Sequence, residues 1–265
     1  MKALIKIGGT LLDSAESRNR LAAEITEAMV NGLQAVIVHG GGKQMTRFLT
    51  ERGIESRFVN GLRVTTPEVL DAVIKVFAGS VNQELVGAFI AAGASAVGLS
   101  GMDGLITEAS LLSPELGAVG KPVRSDARLL NLLVDSGYLP VVACVAGDRQ
   151  GRFYNVNADQ MAASVATAIQ ADKLLFLTDV EGVRGQDSLV YPTIHTGECG
   201  RLIRNQIATG GMQAKLEAAI EALYAGVRDV VIAPGGVPGI IEKLLSGEAI
   251  GTRLLALESR VAQHD

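Results

Sequence analysis

Two lysines, one aspartate and a set of glycine-rich turns carry the chemistry legible in this chain. Lys6 lies in K-I-G-G-T (6–10), where a short apolar run ends in Gly8 and Gly9. The lysine precedes the glycines, so the stretch matches neither G-x-x-x-x-G-K-[ST] nor G-x-G-x-x-G. Taken alone it suits a phosphate loop and a plain tight turn equally well. H-G-G-G-K-Q (39–44) is a stronger signal. Three consecutive glycines are costly in chain entropy, and at the mouth of a helix their N–H groups can face a carboxylate or phosphate. In Y-N-V-N-A-D-Q (154–160), Asn155, Asn157 and Asp159 crowd a helix start. Capping needs one of them, Asn157 being the natural choice. Asn155 is then free to bond a substrate, and Asp159 to orient nearby lysines.

Lys215, in G-G-M-Q-A-K-L-E (210–217), opposes the dipole of its own helix. That is ordinarily a solvated lysine beside Glu217, but it also suits a phosphate partner. Arg63 precedes a helix that Thr66 caps and Pro67 opens. Near a cleft it suits bidentate recognition of a carboxylate; by itself it is a surface arginine. Lys6 and Lys215 could flank a transferring phosphoryl group, with Asp159 holding both. Phosphoryl transfer needs positioning and positive charge more than covalent chemistry, so this set would suffice.

The bulk properties fit such a site. At 265 residues the chain can form one large α/β domain or two joined lobes, and 48% apolar residues are enough for a full core. A net charge of −4 argues against general nucleic-acid binding but leaves room for a local basic pocket. Apolar runs such as L-P-V-V-A-C-V-A (139–146) are too short to span a bilayer, and no signal peptide is visible. Cys144 and Cys199 form no C-x-x-C pair, which fits a reduced, cytoplasmic setting. Three histidines, with His264 in a tail, argue against a histidine-rich metal site.

The elements that must position these residues alternate. Strands are predicted at 3–7, 35–39, 95–100, 140–145, 174–180 and 229–233, and helices at 15–31, 43–52, 67–92, 126–136, 158–170, 213–225 and 238–245. Strands apolar on both faces, alternating with helices, predict a three-layer αβα sandwich around a mostly parallel open sheet. Glycine or aspartate follows five of the strands, in K-I-G-G-T, V-H-G-G-G-K-Q, L-S-G-M-D-G, L-T-D-V-E-G and A-P-G-G. Ligands bind beyond the carboxyl ends of such strands, so these turns mark one crevice. Residues 102–125 and 146–157 break the alternation and are predicted to be hairpins projecting as lids. Residues 186–200 are predicted to be loop.

Together these stretches resemble the amino acid kinase family, and within it the branch acting on N-acetyl-L-glutamate. N-G-L-R-V-T with N-V-N-A-D-Q is specific to that branch, whereas K-x-G-G belongs to the wider family. The resemblance, nearly end to end, implies ATP-dependent phosphorylation of the γ-carboxylate, giving N-acetyl-L-glutamyl 5-phosphate in arginine biosynthesis. It implies that Lys6 and Lys215 stabilise the transferring phosphoryl and that Asp159 positions them. Gly8, Gly9, Gly41 and Gly42 would offer backbone N–H groups to phosphoryl and carboxylate. Arg63 and Asn155 would hold the substrate. Thr178, Asp179, Val180, Gly182, Val183, Gly210 and Gly211 would border the nucleotide.

Mg²⁺ would ride on the ATP phosphates with few or no protein ligands. Residues 1–170 would form the amino-acid-binding lobe and 171–265 the ATP lobe. Ser80 and Met102 stand where many relatives have lysine. Arginine-inhibited relatives carry an additional N-terminal helix, and this chain begins almost at its first strand, so the resemblance implies a homodimer, through the 67–92 helix, without arginine feedback. A kinase for an acylated aminoadipate and a non-catalytic amino acid or nucleotide sensor are the competing readings.

Overall fold

The computed structural model describes residues 1–256; His264 and the end of the predicted ATP lobe lie outside the described residues. The β-branched and leucine-rich runs form strands buried on both faces. The first half contains β1 (Lys2–Ile7), α1 (Ala15–Val30), β2 (Gln34–His39), α2 (Gly42–Glu51) and a short hairpin of β3 (Phe58–Val59) and β4 (Leu62–Arg63). Next come α3 (Pro67–Val73), a π-helical segment (Ile74–Val81), α4 (Asn82–Ala91), β5 (Ala96–Ser100), β6 (Thr107–Leu111) and β7 (Val119–Ser125). They are followed by α5 (Arg128–Asp135), β8 (Leu139–Ala143), β9 (Val145–Gly147), β10 (Phe153–Val156) and α6 (Ala158–Ala168). The second half contains β11 (Lys173–Thr178), β12 (Thr193–His195), α7 (Thr196–Arg204), α8 (Gly210–Tyr224), β13 (Asp229–Pro234), α9 (Ile240–Ser246) and β14 (Thr252–Leu255).

Eight strands make one open sheet in the order β12-β14-β13-β11-β1-β2-β8-β5, parallel except between β13 and β14. β1 lies at its centre and pairs in parallel with both β2 and β11, so Lys6 sits opposite Val38 on one side and Phe176 on the other. Helices cover both faces, as strands without a polar face require. The carboxyl ends of β1, β2 and β11 therefore emerge side by side, which is where the glycine turns stand. The αβα sandwich expected from the sequence is the fold observed.

Four local expectations change. The 67–92 helix is one helical run in three parts, with the π-helical turn between α3 and α4. This run, Pro67–Ala91, is long and apolar enough to cross a membrane by length and composition alone, and 44% of its most apolar window is buried inside the fold. Its π-helical turn and α4 pack on β5 and β8 of the sheet, while α3 packs against α2 and β10; Val69, Val73, Phe77, Leu85 and Phe89 are buried, and Lys75, Gln83 and Glu84 turn outward. The 140–145 strand breaks at Cys144: β8 stays in the sheet, and β9 leaves it. Residues 102–125 and 146–157 are not free lids, since β10, β7, β6 and β9 close into a small barrel. Finally, 186–200 is not all loop. Strand β12 and helix α7 occupy its second half, where Gly197 and Gly200 inside the helix hid the pattern.

Candidate active site

Lys6 is a lysine at the end of a buried central strand, only 5% exposed. Burying an ammonium is costly unless an anion meets it. Asp159, in the first turn of α6 and 4% exposed, supplies that anion. Its Oδ1 lies 2.8 Å from the Lys6 Nζ, and its Oδ2 accepts from the Lys215 Nζ at 3.0 Å. Burial by itself would raise the Asp159 pKa; the two ammonium groups outweigh it and hold the carboxyl below its usual range. Lys215 is pulled down, first by burial and then by Lys6, with Asp159 opposing. Two ammonium groups bond one carboxylate in a largely buried site, with Asp179 acting on Lys215 from further off. Direct pairing thus leaves one ammonium without a carboxylate of its own, which favours a further anion.

Local sequence explains why these groups meet. The Asn157 side chain caps α6, accepting from Asp159 N at 2.8 Å and Gln160 N at 3.2 Å. The cap predicted from the sequence is present, and it aims the first turn at β1. Gly8 donates its N–H to the Leu177 carbonyl at 3.1 Å, stitching the β1 turn to β11. A Cβ there would stand 2.7 Å from the Lys6 Nζ, so glycine leaves room for the ammonium. Gly9 follows in a left-handed conformation, φ 49°. Glu217 does not neutralise Lys215; it accepts from Gln213 at 2.8 Å instead.

The other predicted residues fall into three groups. Arg63 is buried, not a surface arginine. It donates to Thr46 Oγ1 at 2.8 Å and to the Gly42 carbonyl at 3.3 Å, bonds the Ser56 hydroxyl, and lies 4.6 Å from the Phe58 ring centre. Asn155 donates to Thr65 Oγ1 at 3.0 Å, and the same hydroxyl donates to the Arg63 carbonyl at 2.9 Å. Arg63, Asn155 and the Gly41–Gly42 turn are thus brought together beside the β3–β4 hairpin. Its tip, Gly61, approaches Gly210 closely enough that a Cβ on Gly61 would stand 3.8 Å from the Gly210 Cα.

Thr178 and Asp179 end β11 next to the first glycine turn. Asp179 Oδ2 accepts from Thr10 Oγ1 at 3.1 Å. Burial pushes the Asp179 carboxyl up, but the hydrogen bond from Thr10 and further donors leave it below its usual value. Val180 is exposed at this mouth. Gly182 and Val183 are buried behind it, with Val183 N donating to Thr252 Oγ1 at 2.8 Å, so the Val183 side chain belongs to the core. Gly210 and Gly211 open α8, whose second turn carries Lys215.

Three contacts escaped the sequence reading. Thr10 holds Asp179. Lys43, in the glycine turn, faces Asp13 at 3.8 Å. His39 and Asn82 hydrogen-bond beneath the same turn at 2.9 Å. Nothing in their spacing signals this, because all three contacts join distant segments. Met102, at a position where lysine was expected, packs in the barrel against Gly147, where a Cβ would stand 2.0 Å from its sulfur.

Fold and site define an α/β protein with two buried ammonium groups on one carboxylate at the carboxyl end of a parallel sheet. The chain belongs to the amino acid kinase family, whose model matches residues 1–234. It is 58% identical to acetylglutamate kinase from Solibacter usitatus over 96% of this chain and 99% of that one. It is 41% identical to acetylglutamate kinase from Acidobacterium capsulatum, covering 97% and 100% of the two chains. Among solved structures, N-acetylglutamate synthase from Neisseria gonorrhoeae, complexed with coenzyme A and N-acetyl-glutamate, superposes with a TM-score of 0.84. That match is 26% identical and covers 96% of this chain and 59% of the other.

Proposed function

We propose that this chain phosphorylates the γ-carboxylate of N-acetyl-L-glutamate with ATP, giving N-acetyl-L-glutamyl 5-phosphate and ADP in arginine biosynthesis. The observation that carries the reading is the buried Lys6–Asp159–Lys215 cluster, at 2.8 and 3.0 Å, within a chain 58% identical to an acetylglutamate kinase. A binding module needs no second buried lysine on one carboxylate, and the identity favours acetylglutamate over an acylated aminoadipate.

Lys6 and Lys215 are assigned to the transferring phosphoryl, where their charge offsets the negative charge spread over its oxygens. Asp159 holds the two ammonium groups and touches neither reactant. Arg63 and Asn155 take the carboxylate and acetamido ends of the substrate, and Gly41 and Gly42 offer N–H groups to its anionic end. Gly8 and Gly9 face the ATP phosphates. Thr178, Asp179, Val180, Gly182, Val183, Gly210 and Gly211 border the nucleotide, Gly182 and Val183 by shaping the turn from behind.

Mg²⁺ accompanying ATP would neutralise phosphate charge. Both Asp159 oxygens are engaged by lysines, so Asp179, beside the first glycine turn, is the carboxylate that would help hold the cation. Residues 1–170 are the amino-acid lobe and those from 171 onward the ATP lobe. We assign the enzyme to the cytoplasm as a homodimer joined through the outward face of the Pro67–Ala91 run, where Ile90 is 57% exposed.

The test is an ATP–Mg²⁺ assay with hydroxylamine trapping, run on N-acetyl-L-glutamate, glutamate and N-acetyl-aminoadipate in parallel. Strong hydroxamate from N-acetyl-L-glutamate alone is expected. Equal signal from the longer acid would overturn the substrate choice, and none from any acid, with ATP still bound, would overturn the reaction.

A further inference from the structure

His39 ends β2 immediately before the glycine turn, and it is fully buried. No reactant can reach an imidazole so placed, yet both of its nitrogens are bonded. Nδ1 lies 2.8 Å from the Gly40 carbonyl oxygen, and Nε2 lies 2.9 Å from Asn82 Nδ2. The direction of each proton follows from partners that have only one option. The same Asn82 nitrogen lies 2.9 Å from the Val141 carbonyl and 3.3 Å from the Leu99 carbonyl, both of which can only accept. That fixes which end of the amide is NH₂; its two protons serve the two short contacts, the Val141 carbonyl and His39 Nε2, with Leu99 the longer third acceptor. Nε2 then carries no proton, and Nδ1 must carry it, as the purely accepting Gly40 carbonyl also requires. Burial, with the Gly40 bond opposing, pushes the imidazole down to about 4, which keeps the ring neutral with a single proton.

The consequence lies in the next peptide bond. Peptide groups are planar, and among the described residues none is cis. With the Gly40 carbonyl drawn onto Nδ1, the Gly41 N–H on the same plane points the opposite way. No described residue accepts from that N–H. Phe77 and Val81 of the π-helical segment close one side of Gly41: a Cβ would stand 2.9 Å from Phe77 Cδ1 and 3.1 Å from Val81 Cγ2. The π-helical turn ends where Asn82 begins α4, so one irregular element supplies both the floor under Gly41 and the clamp on His39.

We propose that His39 is a positioning residue, whose Nδ1–H, set by Asn82, turns the Gly40–Gly41 peptide so that the Gly41 N–H faces the anionic end of the amino acid substrate. This rests on the proposed function for the identity of that substrate; the hydrogen-bond chain itself does not.

The test pairs kinetics with nitrogen spectroscopy. His39→Leu removes the donor at similar volume, whereas His39→Asn places an amide N–H close to where Nδ1 was. The leucine variant is expected to raise KM for N-acetyl-L-glutamate roughly ten- to a hundred-fold, the effect of one hydrogen bond to a charged group. KM for ATP should stay within about two-fold, a split that general loosening would not produce. The asparagine variant should recover most of the loss.

Long-range ¹H–¹⁵N spectra of the wild-type chain at pH 7 should show His39 with Nδ1 protonated and Nε2 bare. An Nε2–H tautomer would overturn the proposal, as would an unchanged KM in His39→Leu or equal losses in both variants. Should His39→Leu not fold, the wild-type spectrum and the asparagine variant still decide. A wild-type enzyme inactive on N-acetyl-L-glutamate would sink the proposed function instead, leaving the spectrum to judge the hydrogen-bond chain.

Discussion

At the scale of single residues, the site is governed by charge in a place that water scarcely reaches. Removing the Lys215 ammonium by Lys215→Ala is expected to lower kcat by roughly 10²–10³-fold, the usual effect of losing one preorganised donor to transition-state charge. KM should change by only a few-fold, and steady-state kinetics with near-normal turnover would remove Lys215 from the mechanism. Asp159 has the opposite role, since it steadies cations that the fold has buried. Asp159→Asn leaves two ammonium groups facing each other and should cost about 3–5 kcal/mol at neutral pH. The Asp159 carboxyl is held below its ordinary value. Its contribution to stability is therefore full above the unfolded carboxyl pKa of about 3.9 and is lost as pH falls through the lower folded value. Urea titrations of the wild-type chain should show that loss in acid, and Asp159→Asn should flatten it. Parallel acid limbs would show that the pair is not what acid breaks.

At the scale of elements, small steric facts decide where the proposed catalytic groups stand. The Asn157 cap begins the helix that aims Asp159, and Asn157→Ala should lower stability by about 1 kcal/mol. For a chain of this length that is a fall in Tm of about 2–4 °C, measurable by calorimetry. Two glycine substitutions should separate geometry from stability. At Gly8 a Cβ would meet the end of the Lys6 side chain at 2.7 Å and the Leu177 carbonyl oxygen at 3.2 Å. Gly8→Ala should thus displace the ammonium from Asp159 without repacking the core, so kcat falls steeply and any loss of Tm is that of the Lys6–Asp159 pairing alone. At Gly41 the obstacle is the buried Phe77 ring, and Gly41→Ala should cost about 1–3 kcal/mol of overpacking together with substrate affinity. If both variants behaved alike in thermal melts, this distinction would be wrong.

At the scale of the whole molecule, the two proposed lobes are halves of one sheet, joined where β1 pairs with both β2 and β11. The joined sheet argues against closure as a swing of separate bodies about a free linker. For the proposed enzyme we propose closure by the β3–β4 hairpin and the start of α8, which approach each other at Gly61 and Gly210. Amide exchange in 58–63 and 209–212 should slow when ATP and N-acetyl-L-glutamate are both bound, and less with either alone. The proposed dimer makes its own demand. Light scattering should give twice the 27.6 kDa chain mass, and Ile90→Glu should shift it towards the monomer.

The sequence by itself determined the layered fold, because apolar runs buried on both sides and alternating with amphipathic helices leave few other arrangements. It also supplied the helix caps at Thr66 and Asn157, which act within three residues of their own position. Residue types and their order pointed to Lys6, Asp159 and Lys215. Their meeting on one carboxylate belongs to the tertiary structure, which brings strand β1 and the starts of α6 and α8 to a single point. The same holds for what the sequence concealed. The burial of Arg63, the closing of 102–125 and 146–157 into a barrel, and the bond between His39 and Asn82 all depend on contacts between remote segments. Local periodicity reports which face of an element is apolar; it carries no information about which distant group that face will meet.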